Sequence, residues 1–141
     1  MASNLFVEIV SPSGRVFHGS AKGVRAPGTE GSFEVLYNHA PMIAAIEIGP
    51  IVVTDPDGSK ITFATSGGFV EVMNNTVTVL AESAELASQI DIDRAQAAQR
   101  RAEEALAGAT DAERESAKAA LDRARNRARV AMGAVGTARH S

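Results

Sequence analysis

The residues best suited to chemistry are arginines. Arg94 sits just inside the start of an Ala-rich segment, and Arg123 and Arg127 lie four apart further along, so they share one face of a helix. Folding that segment into a hairpin about residue 109 sets Arg94 opposite Ala124, which Arg123 and Arg127 flank. Three guanidinium forks beside a helix N-terminus, with its unpaired N–H groups and partial positive charge, would make a phosphate cradle. Glu85 and Asp91 would accept hydrogen bonds from a base or ribose, or neutralise the arginines internally. On residue types alone the internal ion-pair reading is favoured, because Arg-rich helices usually carry salt-bridged, solvated faces. Arg125 and Arg129 are also four apart but point elsewhere, and suit an acidic protein partner.

Other candidates carry less. His18 falls in a strand, His39 in a loop before Ala40-Pro41, and His140 in the tail, so no two share metal-ligand spacing, and there is no cysteine. Ser66-Gly67-Gly68 lacks both the Lys-Ser/Thr continuation of a phosphate loop and the Gly-x-Ser-x-Gly frame of a nucleophile turn, and reads as a close-packed turn. Glu103-Glu104, Glu113 and Glu115 read as solvated helix positions. No set of acid, base and nucleophile emerges, so no catalytic residue and no metal site is expected.

The elements that must position these residues fall into two compositional halves. All five prolines lie at or before Pro56, all six aromatics before residue 70, and Ala, Arg, Glu and Gln dominate after Leu86. Residues 1–80 hold seven acids and four bases, whereas residues 81–141 hold ten of each. In the first half, Leu5–Val10 and Val16–His18 flank the turn Ser11-Pro12-Ser13-Gly14. Ile51–Thr54 and Lys60–Ala64 flank Asp55-Pro56-Asp57-Gly58, and Phe69–Val72 and Thr76–Leu80 flank Met73-Asn74-Asn75, where asparagine tolerates a left-handed backbone. This spacing predicts an all-β sandwich or barrel of roughly eight to ten short strands over residues 1–85.

Residues 86–141 predict an antiparallel two-helix hairpin, giving an all-β plus all-α chain. Asp91 stands as N-cap, Ala95, Ala98, Ala102 and Ala105 share a face, and Gly108 ends the first helix as a residue able to take positive φ. Thr110 and Glu113 fit a capping box, and a second seam runs Ala117, Leu121, Ala124, Ala128, Ala131 to a stop near Gly133. A seam of methyl groups yields about 0.8 kcal/mol per buried carbon, against roughly 1.5–3 kcal/mol for a whole large side chain. Such a hairpin is expected to open or re-dock at low cost, and composition equally allows an Ala-rich hairpin that simply stays closed. The net charge of −3 excludes a nucleic-acid coat, and the chain shows neither an apolar run long enough to span a membrane nor a basic, greasy leader.

The ordered motifs Val10-Ser11-Pro12-x-Gly14-x-Val16-Phe17, His39-Ala40-Pro41, Ser66-Gly67-Gly68-Phe69-Val70-Glu71-Val72, Val77-Thr78-Val79-Leu80-Ala81-Glu82 and Ile90-Asp91-Ile92-Asp93-Arg94-Ala95 resemble the epsilon subunit family of F-type ATP synthase over almost the whole chain. The resemblance implies a non-catalytic rotor subunit whose first domain is a flattened β-sandwich of about ten short strands. Its sandwich would clamp the gamma subunit and rest on the membrane c-ring, and its hairpin would restrain rotation and suppress ATP hydrolysis against the alpha and beta subunits. It implies partner contacts at His39, Pro41, Ser66, Gly67 and Gly68, and an acidic segment of beta meeting Arg125 and Arg129. Family members that bind ATP on the hairpin carry an Ile/Leu-Asp-x-x-Arg-Ala motif, which Ile90, Asp91, Arg94 and Ala95 match. The rest of that ATP set falls on Glu85, Arg101, Arg123 and Arg127. No cofactor is required; ATP is implied as a regulatory ligand. The implied location is the cytoplasmic face of a bacterial inner membrane, with membrane association only through the complex. Glu34 and Tyr37 depart from the family, which commonly has glycine and proline there. A free-standing nucleotide-binding sensor is the rival reading.

Overall fold

The computed structural model describes residues 3–140, with side chains described up to Gly133. Ten strands come first: β1 (Leu5–Ser11), β2 (Gly14–Ala21), β3 (Gly23–Ala26), β4 (Phe33–Leu36), β5 (Met42–Ile46), β6 (Gly49–Thr54), β7 (Lys60–Thr65), β8 (Gly68–Met73), β9 (Thr76–Ala81) and β10 (Ala84–Leu86). They form two five-stranded sheets, ordered β2-β1-β9-β8-β5 and β10-β7-β6-β3-β4. The fold class read from the sequence is the one observed.

Hairpins form where the turn residues demand them. β1 and β2 pair antiparallel across Pro12-Ser13, with a bulge that moves the register between Ile9 and Val10. β8 and β9 are joined by Asn74 and Asn75 at φ 49° and 60°, the two left-handed residues of a type I′ turn. β1 and β9 pair in parallel, Val7 against Val77, a contact that hairpin reasoning does not foresee. The whole sandwich connects those two strands, so no crossover helix is needed to let them run the same way.

Period-two alternation sends one side chain in two to the interior. Val7, Ile9, Val70, Val72, Val77 and Val79 of the first sheet are fully buried, as are Val24, Val35, Ile51, Val53 and Phe63 of the second. The Phe17 and Phe63 rings meet edge to face at 5.7 Å, tying β2 to β7 across the core.

The remainder forms a second compact unit from Ala87 onward. A 3₁₀ turn (Ala87–Gln89) leads into α1 (Ile92–Ala107), and α2 follows (Asp111–His140). Asp91 caps α1, its carboxylate accepting the Arg94 N–H at 2.9 Å. Gly108 does end α1, but at φ −96°, not in the left-handed region. Its N–H reaches the Glu104 carbonyl at 3.1 Å and the Ala109 N–H reaches Leu106 at 3.2 Å, so the last turn tightens instead of reversing hand. The expected stop near Gly133 is not met. A glycine inside a helix costs about 1 kcal/mol relative to alanine, and no proline follows to break the ladder, so α2 runs on to His140. Among the described residues no helix is long and apolar enough to cross a membrane.

Candidate functional site

The hairpin seam places the arginines. Ala95, Leu121, Ala128 and Ala131 are buried and Ala98, Ala102, Ala117 and Ala124 half-buried, so the alanine seams face inward as read from their spacing. Ala105 is the exception. It is exposed while Leu106 is half-buried, because at 100° per residue the covered stripe drifts one position over three turns.

The register of the hairpin differs from equal counting about residue 109. The Gln96 amide Nε2 donates to Met132 Sδ at 3.7 Å. Equal counting sets Gln96 opposite Asp122, leaving Met132 about 15 Å further along, more than the roughly 10 Å of offset two such side chains can bridge. Asp111 to Ser116, the first residues of α2, are all exposed, so α2 begins beyond the end of its contact with α1. Two long side chains that lean toward their own helix N-termini span part of that distance, and the bend closes within three residues, so the contact shifts α2 by only a few residues from equal counting.

The same contact sorts the arginines by flank. Gln96 and Met132 each follow a seam alanine by one residue, and they touch, so that side is shared by both helices. Arg94, Arg101, Arg123 and Arg127 each precede a seam alanine by one residue and occupy the opposite flank. The hairpin thus places Arg94, Arg101, Arg123 and Arg127 along one flank, with Arg94 nearest the capped N-terminus of α1. Arg125 and Arg129 follow Ala124 and Ala128 by one and lie on the Gln96–Met132 flank.

Ion pairing leaves three of the four arginines on this flank available. Among the described residues Arg94, Arg101 and Arg123 make no ion pair, and all three are exposed. Asp91 is occupied as a helix cap. Arg127 is half-buried, and Ile90 is buried at the foot of α1. Glu85 is half-buried on β10, opposite Ala64, and belongs to the sandwich unit. Asn126 and Val130, on the side of α2 away from the seam, are buried as well.

In the capping box only the Glu113 half is built as expected. The Glu113 carboxylate accepts the Thr110 N–H at 3.0 Å, while the Glu113 N–H bonds the Thr110 carbonyl, not the hydroxyl. Bonds from the Thr110 backbone, then from its side chain, hold the Glu113 carboxyl below its ordinary value.

In the sandwich, His39 and Pro41 lie in the β4–β5 loop, where His39 Nδ1 is 2.8 Å from the Ala40 carbonyl. Ser66-Gly67-Gly68 is a close-packed turn: Gly67 and Gly68 have φ of +120° and +143°, and a Cβ on Gly68 would meet the Leu80 carbonyl oxygen at 2.0 Å. The buried Thr65 hydroxyl braces it, donating to the Ser83 carbonyl at 2.8 Å and accepting the Gly67 N–H at 3.2 Å. Met42 pairs with Val72 but Ile46 with Gly68, so the two loops stand at opposite ends of the β5–β8 pair, about 13 Å apart.

Between them lies a feature that motif reading missed. On the outer side of the first sheet Phe6, Ile43, Phe69, Met73 and Leu80 are 46 to 73% exposed. Cross-strand pairing sets Phe69 beside Leu80 in one row and Met73, Thr76 and Phe6 in another, with Ile43, Glu71, Thr78 and Glu8 in the row between them. The signal was present: Leu5-Phe6-Val7 and Phe69-Val70-Glu71-Val72-Met73 put apolar residues in both phases of the strand, as strands covered on both faces do. Among the described residues no cluster of three or more potential metal ligands exists.

Two family profiles match this architecture. That for the ATP synthase delta/epsilon chain β-sandwich domain covers residues 4–87, and that for the long α-helix domain of the same chains covers residues 88–132. The chain belongs to the ATP synthase delta/epsilon family. It is 57% identical to the ATP synthase epsilon chain of Salinibacter ruber, over 97% of this chain and 98% of the relative. It is 49% identical to that of Pelotomaculum thermopropionicum over 74% and 77% of the two chains. Epsilon chains are stalk subunits of ATP synthase, not catalytic ones. The fold is also similar to a chain in the Euglena gracilis mitochondrial ATP synthase structure of OSCP, F1 and c-ring, with a TM-score of 0.77 at 19% identity over 86% of this chain and 78% of that one. A chain of the Tetrahymena thermophila mitochondrial ATP synthase central stalk and c-ring matches with a TM-score of 0.62 at 16% identity, over 90% and 96%.

Proposed function

We propose that this member of the delta/epsilon family works as a central-stalk subunit of a bacterial F-type ATP synthase, its sandwich binding gamma and the c-ring on the cytoplasmic side of the membrane. The observation that carries the reading is the set of exposed apolar residues on the outer side of the first sheet, Phe6, Ile43, Phe69, Met73 and Leu80, interleaved with Glu71, Thr76 and Thr78. A surface of that kind needs a protein cover, and it would be a liability on a free-standing sensor. Phe69→Asp is expected to abolish co-purification with gamma while leaving the fold intact; undiminished capture of gamma would overturn the reading.

The hairpin is proposed to restrain ATP hydrolysis and to be held closed by ATP. The arginine flank supports a polyphosphate ligand, with Arg94, Arg101, Arg123 and Arg127 available to meet the phosphates. A ligand that binds the closed hairpin better than the open one shifts the balance by its difference in affinity, so falling ATP would release the hairpin toward the catalytic subunits. Arg125 and Arg129, on the other flank, remain available for an acidic segment of beta. Truncating after Leu86 and assaying ATP hydrolysis by the reconstituted complex tests the restraint. Faster hydrolysis is expected, and an unchanged rate would remove the inhibitory role while leaving the stalk role standing.

A further inference from the structure

The β4–β5 loop holds an exposed apolar tip, Leu36 and Tyr37, in a defined turn. The His39 N–H closes it on the Leu36 carbonyl at 3.1 Å, and Asn38, its third residue, has φ 67°. Tyr37 is not at positive φ, so this is the pattern of a type II turn, in which proline is favoured at the second position because it fixes φ in advance. Tyr37 gives no such lock. The fixing comes from 37 residues away: the Asn38 N–H donates to Asn75 Oδ1 at 2.6 Å, and Asn75 Nδ2 donates to Asn38 Oδ1 at 3.3 Å. Asn75 is itself anchored, being the second residue of the β8–β9 turn, with its carbonyl accepting the Phe6 N–H at 2.9 Å.

We propose that Asn75 is a positioning residue that holds the Leu36–Tyr37 tip in its binding-ready shape, next to the apolar sheet surface, for the same partner that covers that surface. Continuity points to one occupant: Met73, two residues before Asn75, belongs to the exposed surface, and so does Ile43, two residues past Pro41 at the other end of the loop. This rests on the stalk reading above, with gamma as the partner. A two-point amide clamp limits the shapes the loop can take before binding, and a partner that accepts only one of them binds more weakly in proportion as that shape is depopulated.

Asn75→Gly isolates the clamp, since Asn-Gly is a preferred type I′ sequence and the hairpin survives the change. In the full chain the Asn38 amide is expected to lose its hydrogen-exchange protection, the melting temperature to stay within a degree or two, and the affinity for purified gamma to fall about fivefold. Tyr37→Ser is expected to weaken binding at least as much, with little added by Asn75→Gly on top. Unchanged affinity in Asn75→Gly, or a protected Asn38 amide in that variant, would overturn the proposal. If gamma fails to bind even the unaltered chain, the stalk reading falls and takes the clamp's role with it; if Phe69→Asp loses binding while Tyr37→Ser does not, the stalk reading stands and only the tip is ruled out.

Discussion

The sandwich and the hairpin bury different kinds of side chain. Every one of the largest fully buried side chains among the described residues is in the sandwich, from Phe63 through Leu5, Ile9 and Ile51 to eight valines. The hairpin buries Ala87, Ala95, Ala128 and Ala131, with Ile90, Leu121 and Val130 its larger contributors. Burial free energy follows carbon count, so the first unit is locked by its core and the second is held by helix propensity and a thin seam. A rigid body with a sticky face and a helical pair that parts cheaply are what a clamp and a release would separately need.

Substitutions sharpen that contrast in descending order. Phe63→Ala removes the ring that joins the two sheets and is expected to cost about 3–5 kcal/mol in denaturant unfolding of the sandwich transition. Leu121→Ala, the matching truncation in the hairpin, is expected to cost about 2 kcal/mol and to move only the hairpin transition, as followed by helical circular dichroism. Equal shifts in both transitions would erase the contrast. Asp91→Ala removes the α1 cap and is expected to cost about 1 kcal/mol of hairpin stability, visible as fraying of the first α1 turn in amide exchange.

The smallest effect is a pH dependence. Glu113 has a folded-state pKa held below its ordinary value, so its capping bond contributes fully above the unfolded-state pKa and is lost as pH falls through the lower folded value. Acidification through that range is expected to release the Thr110 amide, and Glu113→Gln is expected to flatten this response. A Thr110 amide whose protection ignores both changes would mean the cap is not formed in solution.

Much of the architecture was legible because the determining forces are local. Asn74-Asn75 dictated a two-residue turn, Asp91 a cap, and the three- and four-residue alanine steps a seam. Long-range choices were not legible. The parallel β1–β9 pair joins the two ends of the sandwich and leaves no mark on either strand. Gly108 and Gly133 both looked like helix stops, but glycine permits a left-handed exit without requiring it, and one helix ended at negative φ while the other continued. For the arginines, four-residue spacing sets Arg123 and Arg127 on one helical face, whereas the fine register of α2 against α1 depends on side-chain contacts such as Gln96–Met132, which residue counting does not supply. The apolar sheet surface was written into the strands as residues in the polar phase, and the Asn38–Asn75 clamp only becomes visible once two distant turns are brought together.

Native-state hydrogen exchange on the full chain, with and without ATP, tests the central contrast most directly. The account predicts that α1 and α2 amides open at clearly lower free energy than those of β1, β8 and β9, and that ATP raises protection across the hairpin while leaving the sandwich unmoved. Hairpin and sandwich amides opening together, with no response to ATP, would contradict it.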